Sequence, residues 1–382
     1  MKASWRLATA GLAMVLAGCA AAPTAMQDAG DLENLDKDEE RLWAMSDEIS
    51  DGLEKSRAIE FDRQSMLYLQ SLMNELFPEF RQAIRVFIIK NPEANAFAMA
   101  NGHVYVHTGM LARLRNEAEL AAVLGHEGAH FTERHVLERM RNAKNMSVFA
   151  NVMGSFTGLG GALASSVIAA SSMSGLSQAN ESEADAIGLA RMSRLGYDPR
   201  AAAKPFERLA QELKARDINE PRMFRSHPKL AARAASLSDM AEDFPGVEIG
   251  EQTYLDNVGH IRLAALEQAV EMNQGELLVF LLSTPDQMQS YNGQAQFYLA
   301  EGYRLRADEG DEALAVAAYQ AAIEAGNQAA RAHGKLGYIA MRAGDNEAAI
   351  SHFEESLVLD PESPDSAYLA SYLKKLKGDN ND

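Results

Sequence analysis

The stretch 120-LAAVLGHEGAHF-131 sets three ionisable side chains, His126, Glu127 and His130, in a run that is otherwise apolar or small. Leu120, Val123 and Leu124 recur at helical spacing, so the run reads as a helix turned into a core. Asn116, with Glu119 three residues on, supplies a capping-box-like start for it. A buried imidazole or carboxylate costs several kcal/mol unless it is paired or ligating. The chain can fold only if it finds partners for these groups, and no other feature constrains it as tightly.

On a helix, positions i and i+4 lie one above the other. His126 and His130 can therefore offer both imidazoles to one metal ion, with Glu127 alongside. Two His and one carboxylate leave an open position for water, lower the pKa of a water held there, and free Glu127 as general base. The third ligand is not at the usual places. The metzincin positions hold Glu133 and Val136, with His135 off by one, and the positions nineteen and twenty after His130 are Phe149 and Ala150. Candidates must come from farther along, and 181-ESEAD-185 supplies them. There Glu181 and Asp185 share one helix face, whereas Glu183 points elsewhere.

HEGAH, then 180-NESEADAIG-188 about fifty residues later, then Ser226-His227-Pro228, resembles the HtpX-like zinc metallopeptidases. That family includes the CAAX prenyl proteases and the periplasmic BepA proteins. The resemblance covers about residues 60 to 240. It implies a zincin-like fold with Glu181 as third zinc ligand beside His126 and His130, and Glu127 as catalytic base. It also implies a proton-handling or imidazole-orienting role for Asp185. His227 is implied as a fourth ligand or gate, and Arg233 matches the arginine that commonly follows the His-Pro pair. Gly128 departs from the pattern, because relatives usually carry a larger apolar residue there. Glycine in a helix costs about 1 kcal/mol, but its presence removes no catalytic group.

Around the motif, the apolar spacing of residues 36–79 predicts two helices, and 85-RVFIIK-90 a short strand. Asn101-Gly102 between two short apolar runs predicts a hairpin whose histidines, His103 and His107, lie at the surface. Residues 149–176, rich in Gly, Ala and Ser, read as covering structure over the site rather than a membrane span. Asn95–Asn101 could align an extended substrate by main-chain pairing. Toward the C-terminus, Tyr319 and Phe353 sit 34 residues apart in equivalent places, and Gly302-Tyr303 matches Gly337-Tyr338. This period resembles tetratricopeptide repeats, with a degenerate pair at 260–283 and a capping helix at 366–377. With these repeats the whole architecture is similar to that of the BepA type.

At the other end, a short basic segment, an apolar run and Leu16-Ala17-Gly18-Cys19 resemble a lipoprotein signal, with Cys19 as the lipidated residue. Cys19 is the chain's one cysteine, so no disulfide competes for it. Ala20 in place of Asp implies sorting to the outer membrane, facing the periplasm. A net charge of −18 excludes nucleic acid as a partner.

The expected organisation is a signal peptide at 1–18, a tether at 19–35, and a metallopeptidase domain at 36–245. A helical connector or degenerate repeat at 255–290 and a repeat domain at 292–378 complete it. The expected fold class is α+β, mostly α: a zincin-like domain with a small sheet, followed by an all-α repeat domain. The expected function is that of a zinc endopeptidase holding one ion per chain, acting on misfolded or stalled envelope proteins. Its partners would include outer-membrane assembly machinery reached through the repeats, and the membrane itself through the lipid. The alternative is a repeat-mediated chaperone or assembly scaffold with a structural or self-inhibited metal site.

Overall fold

A computed structural model describes residues 23–142, 177–218 and 230–378. Cys19, the Gly/Ala/Ser-rich segment and His227 lie outside the described residues. The chain is mostly helical with one small mixed sheet, as the sequence pattern implies. Among the described residues no helix is long and apolar enough to cross a membrane.

The sheet has four strands in the order β1-β2-β4-β3, where β1 is Ile59–Glu60, β2 Arg85–Ile89, β3 Ala96–Ala98 and β4 His103–His107. The Asn101-Gly102 hairpin forms as expected, with Gly102 at φ 80°, a left-handed conformation that glycine adopts without strain. What local pattern could not give is the parallel pairing of β2 with β4, which leaves β3 at the edge. Alternate residues of β4 face opposite layers. Val104 and Val106 pack into the main core, whereas Tyr105 stacks between Phe87 and Phe97 against the side where the first long helix, Lys37–Lys55, buries Leu42, Ile49 and Leu53. The sheet is thus covered on both faces. His107 is accordingly buried, with its Nδ1 3.3 Å from the Glu93 carbonyl oxygen, and burial pushes its pKa down to about 4. His103 is half-buried with Nδ1 2.9 Å from Ser50 Oγ. Neither is the surface residue that a hairpin position suggests, because the strand they share is central.

Within the stretch read as a tether, two points are held to the domain: Arg134 donates to the Thr24 carbonyl, and Met26 docks. Met26 is buried, and its amide donates to the carbonyl of Thr132 at 2.8 Å.

The motif helix, Glu117–Thr132, starts where Asn116 accepts from the Glu119 amide at 2.9 Å. The reciprocal half of the box is displaced by one residue, since the Glu119 carboxylate accepts from the amide of Arg115. From Ala118 to Thr132 every residue but Ala122 is buried. Two glycines explain how so central a helix fits. A Cβ at Gly125 would lie 3.0 Å from the Cα of Gly188, so the Gln178–Arg194 helix crosses backbone to backbone. A Cβ at Gly128 would lie 2.3 Å from Cε2 of Phe77, whose ring also carries the Arg191 guanidinium 4.0 Å from its centroid. Gly128 is therefore a packing requirement of this core: Phe77 fills the space that a larger side chain would take.

Farther from the site, Arg113 grips Glu212 of the Lys204–Ala215 helix with two bonds of 2.6 and 2.8 Å, and Arg216 adds a third at 2.6 Å. Burial would raise the Glu212 carboxyl, but Arg113 and Arg216 outweigh it and hold its pKa below the ordinary 4.5. A carboxylate depressed on folding contributes stability that is complete above its unfolded pKa and fades as pH falls through the folded one. The urea midpoint of the protein should therefore drop as pH falls below about 4.5. Glu212→Gln should lower that midpoint at neutral pH yet flatten its fall in acid. An equally steep acid limb in the variant would show that Glu212 is not the group responsible.

The helix Glu251–Glu271 belongs to two cores. Tyr254, Val258 and Ile261 join the sheet-side cluster, and Leu266 and Ala269 join the cluster beyond. Tyr254 and Tyr291 donate from their hydroxyls to the carbonyls of Leu111 and Ala112, at 2.6 and 2.7 Å. Two helical hairpins follow, Gln296–Arg306 with Asp311–Glu324 and Ala329–Ala343 with Asn346–Leu359, and then a last helix, Ser366–Leu376. Tyr319 and Phe353 are both fully buried in equivalent places. A Cβ at Gly337 would fall 2.5 Å from the Phe353 ring, so the glycine makes room for the aromatic.

Candidate metal centre

The crossing at Gly125 and Gly188 sets the distance between the two helices that carry the ionisable groups. Directly after Gly125 the motif helix presents His126 and, one turn later, His130, with Nε2 atoms 2.8 Å apart and ring planes at 87°. The facing helix presents Glu181, with Oε1 3.5 Å from His130 Nε2 and Oε2 3.6 Å from His126 Nε2. One donor atom from each residue lies within 4.8 Å of the others, and all three residues are buried. Arms of about 2.0–2.1 Å at tetrahedral angles would put ligand atoms roughly 3.4 Å apart. The two carboxylate-to-imidazole separations match that spacing, and the two imidazoles stand somewhat closer. Two neutral nitrogens and one carboxylate oxygen are also the chemistry that a borderline divalent ion takes.

Asp185, one turn beyond Glu181, places Oδ1 2.9 Å from His126 Nδ1. Arg233 reaches both carboxylates, with Nη2 2.6 Å from Asp185 Oδ1 and Nη1 3.2 Å from Glu181 Oε2. Its Nη2 also lies 2.7 and 2.8 Å from the two ring nitrogens of His126. Burial opposes ionisation of Asp185, but Arg233 and His126 overcome it and hold the carboxyl far below its usual range. The same pairing raises the Arg233 pKa against the effect of its burial. A guanidinium has donors and no lone pair, so Arg233 orients carboxylates and cannot itself coordinate a cation. Phe206 packs its ring 4.2 Å from the guanidinium and closes that side.

Glu127 and His126 border a pocket that Asn95 and Ala96 flank from the edge of the sheet, with Phe206 and Leu237 opposite. The structure thus brings together His126, Glu127, His130, Glu181, Asp185 and Arg233. Sequence reasoning passed over His135, which is buried with Nδ1 2.8 Å from His130 Nδ1. Five residues past His130 it falls off the helical face, and no periodicity could have pointed to it. Glu183, off the shared face as expected, meets His135 Nε2 at 3.3 Å.

Residues 64–241, which contain all of these groups, match the model of Peptidase family M48. That match likens the region to a peptidase family, and with the relatives below it supports a metalloprotease hydrolase, a type that acts on peptide bonds. The chain is similar to the beta-barrel assembly-enhancing protease of Yersinia pestis, at 29% identity over 68% of this chain and 57% of that protein. It is also similar to the metalloprotease LoiP of Escherichia coli K12, at 32% identity over 41% of this chain and 61% of that one. The mitochondrial metalloendopeptidase OMA1 of Schizosaccharomyces pombe is 35% identical over 32% of this chain and 36% of its own length. The matched part therefore spans between about one third and three fifths of these relatives.

Proposed function

We propose that the chain is a zinc endopeptidase that faces the periplasm and cuts misfolded or stalled envelope proteins. The observation that carries this reading is the convergence of His126, His130 and Glu181, with His126 and Glu127 bordering a pocket flanked by an edge strand. The three convergent residues would hold one zinc ion, which when bound supplies Lewis acidity toward a scissile carbonyl and acidifies water. Glu127 takes the proton of the attacking water and returns it to the leaving amine. Asp185 holds the His126 ring by Nδ1, and Arg233 fixes Asp185 and Glu181 in turn. His227 is assigned as fourth ligand or gate on the sequence resemblance alone.

Among the described residues strand β3 pairs with β4 alone, so its outer edge can accept an extended peptide by main-chain bonds. Folded proteins rarely offer such a segment, which makes unfolded chains the substrate class. The C-terminal hairpins, read as tetratricopeptide repeats, would bind extended partners on their concave side. Similarity to beta-barrel assembly-enhancing proteases favours outer-membrane proteins and their assembly machinery as those partners. A lipid on Cys19 would hold the protein at the outer membrane.

Elemental analysis tests the core of this reading. Wild-type protein purified without chelator should carry about one zinc per chain, and His126→Ala should carry almost none. Chelation should stop cleavage of an unfolded protein, and added zinc should restore it. A metal-free wild type that cuts the same protein at an undiminished rate would remove the proposal's basis.

A further inference from the structure

The chain turns sharply just past the motif helix. Arg134 adopts a left-handed backbone, φ 55°, which is uncommon for a side chain of this kind. It is held there from both ends of its guanidinium, with Nε donating to Glu39 Oε1 at 2.7 Å and Nη1 to the Thr24 carbonyl at 2.8 Å. The turn swings the next residue, His135, back beneath the helix it has just left. His135 is 1% exposed, and its ring lies 5.1 Å from that of His130, centroid to centroid. Its two nitrogens look in different directions. Nδ1 is 2.8 Å from His130 Nδ1, and Nε2 is 3.3 Å from Oε2 of Glu183, whose side chain is 56% exposed.

This arrangement has one consistent proton order when His130 gives its Nε2 lone pair to a cation. A neutral imidazole that ligates through Nε2 keeps its proton on Nδ1. That proton points at His135 Nδ1, which must then be the bare, accepting nitrogen. His135 is left as the Nε2–H tautomer, and that N–H faces the carboxylate of Glu183. Each bond in the series fixes the next, and the exposed carboxylate ends it.

We propose that His135 is a positioning residue of the metal centre, fixing the ligating tautomer of His130 through a relay that ends at Glu183. The inference rests on the reading that His126, His130 and Glu181 hold a metal. It makes the centre asymmetric: His126 is oriented by a buried carboxylate that Arg233 also binds, whereas His130 is oriented by a neutral ring backed by a half-exposed carboxylate.

The test is zinc affinity of the full-length protein, measured by competition with a chromophoric chelator. His135→Leu keeps the bulk and removes the acceptor, and should weaken binding by about 10–100-fold. His135→Asn keeps a side-chain acceptor near the Nδ1 position and should recover most of that loss. Glu183→Ala should weaken binding by less than His135→Leu does. The unfolding midpoints of the metal-free proteins report whether each variant still folds, independently of affinity. Wild-type affinity in His135→Leu overturns the proposal, and so does an equal loss in the Leu and Asn variants. If wild-type protein binds no zinc while His126→Ala behaves identically, the metal reading itself has failed, which the competition curve shows before any His135 variant is made.

Discussion

Glu127→Gln should leave the zinc content of the purified protein unchanged and slow its cleavage of an unfolded protein by about a thousandfold. Positioned general acid–base groups contribute roughly 10²–10⁴ to a rate, and a thousandfold is the middle of that range for one group that serves both bond attack and leaving-group protonation. On the proposed reading Glu127 serves that double duty. It is 4% exposed, borders the same pocket as His126, and follows it directly on the motif helix. The glutamine has nearly the same size and shape, so the packing around Ala122 and Val123 has no reason to change. It can still donate and accept hydrogen bonds, yet it cannot take a proton. The carboxylate is also outside the group formed by His126, His130 and Glu181, so metal retention separates loss of chemistry from loss of the site. Activity within tenfold of wild type, with zinc still bound, would assign the base to some other residue.

Gly125→Val should lower stability by about 3 kcal/mol or more. Overpacking in a core is often relieved when a neighbouring side chain changes rotamer. Here the neighbour is backbone, the Cα of Gly188 at 3.0 Å from the new Cβ, and no rotamer can yield. The helices must separate instead, and the displaced helix is the one that carries Glu181 and Asp185. Valine adds the further cost of a β-branched side chain against the preceding turn. A loss of that size corresponds to a fall in melting temperature of roughly 6–12 °C for a domain of about 200 residues. Zinc affinity should fall with it, because Asp185 and His126 move apart. A variant that melts within 2 °C of wild type and binds zinc normally would show that the two helices do not approach as closely as described.

The sequence carried the local structure well. Helical spacing of Leu42, Ile49 and Leu53, the Asn101-Gly102 turn and the Asn116 cap each depend on neighbours in the chain, and each appears where the pattern implied. Six site residues that the motifs brought forward are brought together at one centre, four of them lining the same pocket. What could not be read depends on contacts between distant segments. The parallel pairing of β2 with β4 made His107 a core residue, although a hairpin histidine usually meets water. Gly128 had no explanation until Phe77, some fifty residues earlier, was found against it. His135 was passed over because a single left-handed residue, Arg134, undoes the helical phase that sequence reading assumes.

The docking of Met26 sets a working radius. Its amide is tied to Thr132, at the end of the same helix that carries His126 and His130, and seven residues separate it from Cys19. Arg134 also holds the carbonyl of Thr24, so the free leash is five residues and reaches about 17 Å fully stretched. With a lipid on Cys19, the catalytic body could not roam the compartment: it would ride within one small-protein diameter of the bilayer, with the end of its motif helix toward the surface. A chain that stalls while entering the membrane would be within reach, and one adrift in the bulk of the periplasm would have to come to the enzyme.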